Sequence, residues 1–224
     1  MTQEKIIYDY GAREDIAVFV PPDIKTLLDV GCGLGKFLRL IKDRNRAETW
    51  GVELLPGVAE KAKEQADHVI TGKIEEALPM LPDHYFDCIT FNDVLEHLLE
   101  PGEVLKKIKF KLSENGIIIA SIPNVRYFYN LVEVVIKKDW EYKESGTLDA
   151  THLRFFTKKS IQRMFENAGY DVVLLQGINK ISFWKFRLLN MVTLGLLNDT
   201  KYVQYACVAK ETVSRNPRSV EIDS

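Results

Sequence analysis

Cysteine is scarce: three in 224 residues, at Cys32, Cys88 and Cys207, far apart in apolar strand-like runs and never as CxxC. That argues for free thiols and against a disulfide scaffold or a zinc ribbon. Positive charge is not in excess either, with 30 Lys and Arg against 32 Asp and Glu, a net charge of −2 and a pI near 6.1. Nucleic-acid binding rests on neutralising phosphates, so no nucleic-acid partner is expected. The strongly apolar stretch 181–197 is interrupted by Lys185 and Arg187 and is too short to span a bilayer comfortably. The first residues lack a charged-then-apolar leader, and a cytoplasmic setting is expected. Repeats and low-complexity tracts are missing too. What remains, 46% hydrophobic and 28% charged, suits one α/β core. A single domain is expected over residues 1–210, with 211–224 as a flexible tail.

Apolar runs and amphipathic helical patterns alternate from Thr26 to Ile122, the signature of a doubly wound, mostly parallel sheet. The informative stretch is Thr26-Leu-Leu-Asp-Val-Gly-Cys-Gly-Leu-Gly-Lys-Phe-Leu38, which reads as buried strand, tight turn and helix. Gly31, Gly33 and Gly35 permit left-handed backbone and close approach of a ligand, and the helix N-terminus behind them favours a carboxylate or phosphate. The dinucleotide fingerprint asks for a glycine or alanine where this chain has Lys36, so the spacing is GxGxG rather than GxGxxG. About twenty residues on, Thr49-Trp-Gly-Val-Glu53 puts an acid at the tip of the neighbouring strand, where it can hold both hydroxyls of a ribose.

Leu28-Asp-Val-Gly-Cys-Gly-Leu-Gly35 together with Glu53 resembles the class I S-adenosylmethionine-dependent methyltransferases. The likeness extends over roughly residues 8–210, toward the type 11/12/23 branch. It implies a seven-stranded Rossmann-like sheet with an antiparallel last strand and a helical insertion after strand five. It also implies S-adenosylmethionine as cofactor and S-adenosylhomocysteine as product. Asp29, Gly31, Cys32, Gly33, Gly35, Glu53, Leu54, Ile74 and Asn92 are the cofactor-binding residues it points to, with Ile74 flanking the adenine. Lys73 stands where the family commonly has an acid for the adenine amine. A leading helix carrying Arg13 is expected over the cofactor pocket, where Arg13 either reaches a carboxylate or serves packing. Asp93-Val-Leu-Glu-His97 matches the motif after strand four. Some relatives carry metal ligands at Asp93, Glu96 and His97, and others use the same pair structurally; no metal is expected here.

Residues 124–156 interrupt the alternation with aromatics and charges at the edge where substrate should enter. The string Asp149-Ala-Thr-His-Leu-Arg-Phe-Phe-Thr157 is similar to one in methyltransferases associated with surface-polysaccharide and glycan biosynthesis. His152, whose ordinary pKa lies near neutrality, is a candidate base, with His97 as the other. The competing reading has His152 bonded to Asp149 or a carbonyl, positioning Arg154. The acceptor is then a small molecule, glycan or sugar nucleotide methylated on oxygen or nitrogen. A non-catalytic cofactor-binding scaffold and an NAD-dependent oxidoreductase are the alternatives. Three readings stay open for 181–197, within the second insertion 178–201: packing over the sheet or cleft, contact in a homodimer as opposed to a monomer, or peripheral docking on a membrane. Asn115-Gly116 is expected to stop the helix after Pro101, and Thr157 to cap the following one.

Overall fold

The computed structural model describes residues 11–181 and 184–212. Among them the strands β1 (Thr26–Val30), β2 (Glu48–Glu53), β3 (His68–Thr71), β4 (Phe86–Asn92), β5 (Leu112–Pro123), β6 (Tyr170–Lys180) and β7 (Tyr202–Glu211) form one sheet, ordered β3-β2-β1-β4-β5-β7-β6. β7 runs antiparallel to both its neighbours, and the remaining pairs are parallel. Helices α1 (Glu14–Ala17), α2 (Lys36–Asn45), α3 (Pro56–Ala62), α4 (Ile74–Ala77), α5 (Pro101–Ile108), α6 (Phe128–Leu131), α7 (Lys158–Asn167) and α8 (Trp184–Val192) connect them.

The near-continuous apolar runs follow from burial on both faces. Successive side chains of a strand point to opposite sides, so Leu28 and Val30 of β1 join one core cluster with Leu105, Ile161 and Phe165. Leu27 faces the other way, into a cluster with Ile16, Leu38 and Ile41. Each such Leu or Phe contributes roughly 1.5–3 kcal/mol on leaving water. Thr157 does cap α7: its hydroxyl accepts from the Ser160 N–H while the Ser160 hydroxyl accepts from the Thr157 N–H. A cap of this kind stabilises a helix by about 1 kcal/mol.

Asn115-Gly116 does not stop a helix. The helix gives way to a 3₁₀ turn at Lys109–Lys111, and β5 already runs from Leu112. Gly116 is a close-approach residue instead: a Cβ there would sit 2.7 Å from the Phe86 carbonyl oxygen, beside the register shift between Phe86 and Cys88. Of the expected leading helix, the described part is one turn, Glu14–Ala17, preceded by Arg13 in a left-handed conformation. Tyr8 and Tyr10 of that helix lie outside the described residues, as does most of the expected tail. The segment 181–197 does not cover the sheet as a whole: Phe186 is buried, but Trp184, Met191, Val192, Leu194 and Leu196 are exposed.

Strand order reverses between β1 and β4, which makes their carboxyl ends a topological switch point, the place where open α/β sheets hold ligands. β7 enters the sheet at this same end. Asn124, fully buried, ties the entry together by donating from Nδ2 to the carbonyls of Asp199 and Tyr202, each at 3.0 Å. The insertion that follows is held by Asn130, whose Nδ2 donates to the Val125 carbonyl and whose Oδ1 accepts from the Thr147 hydroxyl.

Candidate functional site

Above these strand ends lies an open cleft of about 690 Å³. Its walls include the glycine turn, Glu53 and Leu54 from β2, Asn92 to Val94 after β4, Glu96, His97, the insertion from Ser145 to His152, and Val203 and Gln204 of β7.

Glu53 is 2% exposed and ends β2 with both oxygens engaged: Oε2 accepts from the Gly33 N–H at 3.0 Å and Oε1 from the Leu55 N–H at 2.9 Å. Burial pushes its carboxyl above the usual range, and the backbone donors draw it back. Asp29 lies beneath the turn, with Oδ1 accepting from the Thr90 hydroxyl at 2.6 Å and from Asn92 Nδ2 at 3.1 Å. Complete burial raises it to about 7. Asn92 Oδ1 is buried with no partner among the described residues.

The three glycines divide their work. A Cβ on Gly31 would meet Val94 Cγ2 at 2.5 Å, so this residue lets the loop after β4 close down on the turn. Gly35 caps α2 in a left-handed conformation at φ 76° and packs against Gln65 and Ala62 of the neighbouring segment rather than facing the cleft. Gly31, Cys32 and Gly33 do line it. The Cys32 thiol is pushed up by burial and is free, as are Cys88 and Cys207.

Ile74 is the residue that the resemblance sets against the adenine. It opens α4, is 4% exposed within the core cluster, and is not part of the cleft wall; Leu54 and Phe37 supply apolar surface there instead. Arg13 lines the cleft with its guanidinium paired to Asp93 at 2.5 Å and to Asp15 at 3.0 Å. Asp93, held at φ 56°, also accepts from the Ser121 hydroxyl and from Gln204 Nε2. This junction was not legible in the sequence, since Gln204 is 111 residues away and nothing in its local pattern marks it.

Asp93, Glu96 and His97 do not share a helical face. The turn at Leu95–His97 is 3₁₀, and the group that converges is Glu96, His97 and His152, with ligand-type atoms within 4.8 Å of one another. Glu96 is fully buried, and neither carboxylate oxygen has a partner among the described residues. Burial, reinforced by the Asp93 charge, holds its carboxyl well above the ordinary value. His152 is 8% exposed, with Nδ1 unpartnered among the described residues and the ring 4.8 Å from that of His97. Burial first, then His97, lowers its pKa, which favours the neutral ring. His97 Nδ1 lies 3.2 Å from both the carbonyl and the hydroxyl oxygen of Thr151. Arg154 donates to the Leu99 carbonyl at 2.6 Å, a structural contact away from His152.

Residues 5–175 match the family model described as a methyltransferase domain. The chain belongs to that methyltransferase family. A malonyl-[acyl-carrier protein] O-methyltransferase of Anoxybacillus flavithermus is 34% identical over 116 residues, covering 50% of this chain and 43% of that relative. The chain thus spans less than half the length of some curated relatives it matches. A ubiquinone biosynthesis O-methyltransferase of Aeromonas salmonicida is 30% identical over 162 residues, 69% of this chain and 66% of its own. Among solved structures, a SAM dependent methyltransferase from Archaeoglobus fulgidus aligns with a TM-score of 0.69 at 22% identity, covering 93% of this chain and 95% of that one. The Burkholderia thailandensis 1,6-didemethyltoxoflavin-N1-methyltransferase, solved with S-adenosylhomocysteine, aligns at 0.62 with 14% identity, covering 93% and 81%. At these identities the structural likeness speaks for the fold: this methyltransferase domain has a Rossmann-like, mixed seven-stranded sheet.

Proposed function

We propose that this methyltransferase domain binds S-adenosylmethionine in the cleft and transfers its methyl group to an oxygen of a small-molecule or glycan acceptor. The observation that carries the reading is the junction of Glu53 with Gly33: the strand-end acid and the glycine turn form one hydrogen-bonded unit at the wall of an open cleft. The relatives named as O-methyltransferases support oxygen over nitrogen.

Bound there, S-adenosylmethionine would supply a methyl group activated by the sulfonium charge, with S-adenosylhomocysteine as the product. Glu53 accepts hydrogen bonds from the ribose hydroxyls. The N–H groups of Gly31, Cys32, Gly33 and Gly35 are already donated within the protein, so it is the positive N-terminal end of α2 that would attract the carboxylate of the amino-acid end. The walls of the insertion hold the acceptor in line, and such positioning supplies roughly 7–11 kcal/mol of a barrier of this kind. His152 Nδ1, buried in the cleft wall and unpartnered there, takes the hydroxyl proton as the new O–C bond forms.

A second reading is favoured by the two orphaned oxygens of Glu96: with His97 and His152 they compose a donor set suited to a divalent cation, which would polarise the acceptor hydroxyl. Transfer of labelled methyl from the cofactor to candidate hydroxyl acceptors tests the activity. The His152→Ala variant should lose at least tenfold in turnover while binding S-adenosylhomocysteine as the parent does; unchanged turnover would remove His152 from the chemistry. Loss of turnover on chelation, restored by a divalent cation, would select the second reading.

A further inference from the structure

We propose that the segment from α8 to Leu197 is a docking face for an anionic lipid surface. In the described part, Trp184, Leu188, Met191, Val192, Leu194 and Leu196 all turn at least half of their surface to solvent, and Leu194 reaches 91%. Scattered apolar residues on a surface need no explanation, but a run of this density does. The segment is anchored from beneath. Phe186 is buried and meets the Phe128 ring edge-on at 5.4 Å, so the helix is held to the body while Trp184, Leu188, Met191 and Val192 face outward. From α6 the chain continues through a π-helical turn, Val132–Lys137, that exposes Val135 and Ile136 as well.

Charge selects the occupant. From Val172 to Asn198 the sequence contains Lys180, Lys185 and Arg187 and no Asp or Glu, although acidic residues outnumber basic ones in the whole chain. The turn that exposes Val135 and Ile136 adds no net charge to this, since Lys137 pairs with Glu133 at 2.9 Å and Asp139 follows Lys138. From Val172 to Asn198, an apolar face with basic residues and no acids suits the headgroup region of an anionic leaflet. None of the described helices is long and apolar enough to cross a membrane, so the fit is to lying on the surface. The placement is also coherent with the site: the segment joins β6 to β7, and Val203 and Gln204 at the start of β7, just after Tyr202, line the cleft. A docked molecule would thus hold its cleft end close to the lipid.

Co-sedimentation of the full chain with vesicles of phosphatidylglycerol and phosphatidylcholine tests this, alongside vesicles of phosphatidylcholine alone and the double variant Met191→Glu, Leu194→Glu. Both positions are exposed, so the variant should fold, and an unchanged melting temperature verifies it. The parent should pellet with anionic vesicles, bind at least tenfold more weakly to neutral ones and weaken as salt rises. The double variant should lose at least tenfold. Failure of the parent to pellet, or equal pelleting of parent and variant, overturns the proposal. A dimer in solution that the variant dissociates, without vesicle binding, assigns the face to a second copy and overturns it equally.

Discussion

At the scale of single residues, Asp29 shows how an ionisable group is tuned without being exposed to ligand charge. Its carboxyl is fully buried and raised to about 7, opposed by the hydroxyl of Thr90, the amide of Asn92 and the charge of Arg13. A raised carboxyl binds its proton more tightly folded than unfolded, so its contribution to stability is complete below the unfolded value of 3.8 and is lost as pH rises toward 7. The Asp29→Asn variant has no such proton to lose. Its stability relative to the parent should therefore improve by about 3 kcal/mol between pH 5 and pH 8. Thermal melts of both proteins across that range check it; a constant difference would mean that Asp29 ionises normally. The sequence marked Asp29 as a site residue, but the Thr90 and Asn92 contacts come from a strand some sixty positions away, and only the pairing of β1 with β4 sets them.

At the scale of elements, the crossover from β1 through the turn into α2 was readable because its signal is local: an apolar run, glycines and a helix in immediate succession. Its glycines are constrained by elements that lie elsewhere in the chain. Gly31 has a left-handed φ of 73° and lies against Val94 of the loop after β4. Gly31→Ala should therefore cost about 1–3 kcal/mol in denaturant melts, from strain and from displaced Val94; a loss under half a kcal/mol would show that the loop yields freely. Asn115-Gly116 was misread as a helix stop for the opposite reason. The dipeptide carries turn chemistry, but the pairing of β5 with β4 overrides it, and Gly116 is used for close approach to the Phe86 carbonyl. The Asp93-to-His97 segment likewise has helical spacing in sequence but folds as a 3₁₀ turn, so the true neighbours of Glu96 come from the insertion.

For the molecule as a whole, the mostly parallel seven-stranded sheet and its antiparallel β7 agree with what alternation and family likeness implied, since each parallel crossover leaves a repeating trace in sequence. The wall of the cleft built by the glycine turn and Glu53 was legible in the sequence, and the wall facing it much less so. There the walls come from Asp93, Gln204 and the insertion, joined by contacts over long sequence separations with no periodic signature. His152 was legible by residue type, and its convergence with Glu96 was not.

Central to the proposed function is a cleft built for S-adenosylmethionine, with Glu53 gripping the ribose. Titration calorimetry with S-adenosylhomocysteine tests that most directly: the parent should bind with one-to-one stoichiometry, and Glu53→Ala should lose at least tenfold in affinity. Absence of heat from the parent, or equal affinity in the variant, would contradict it.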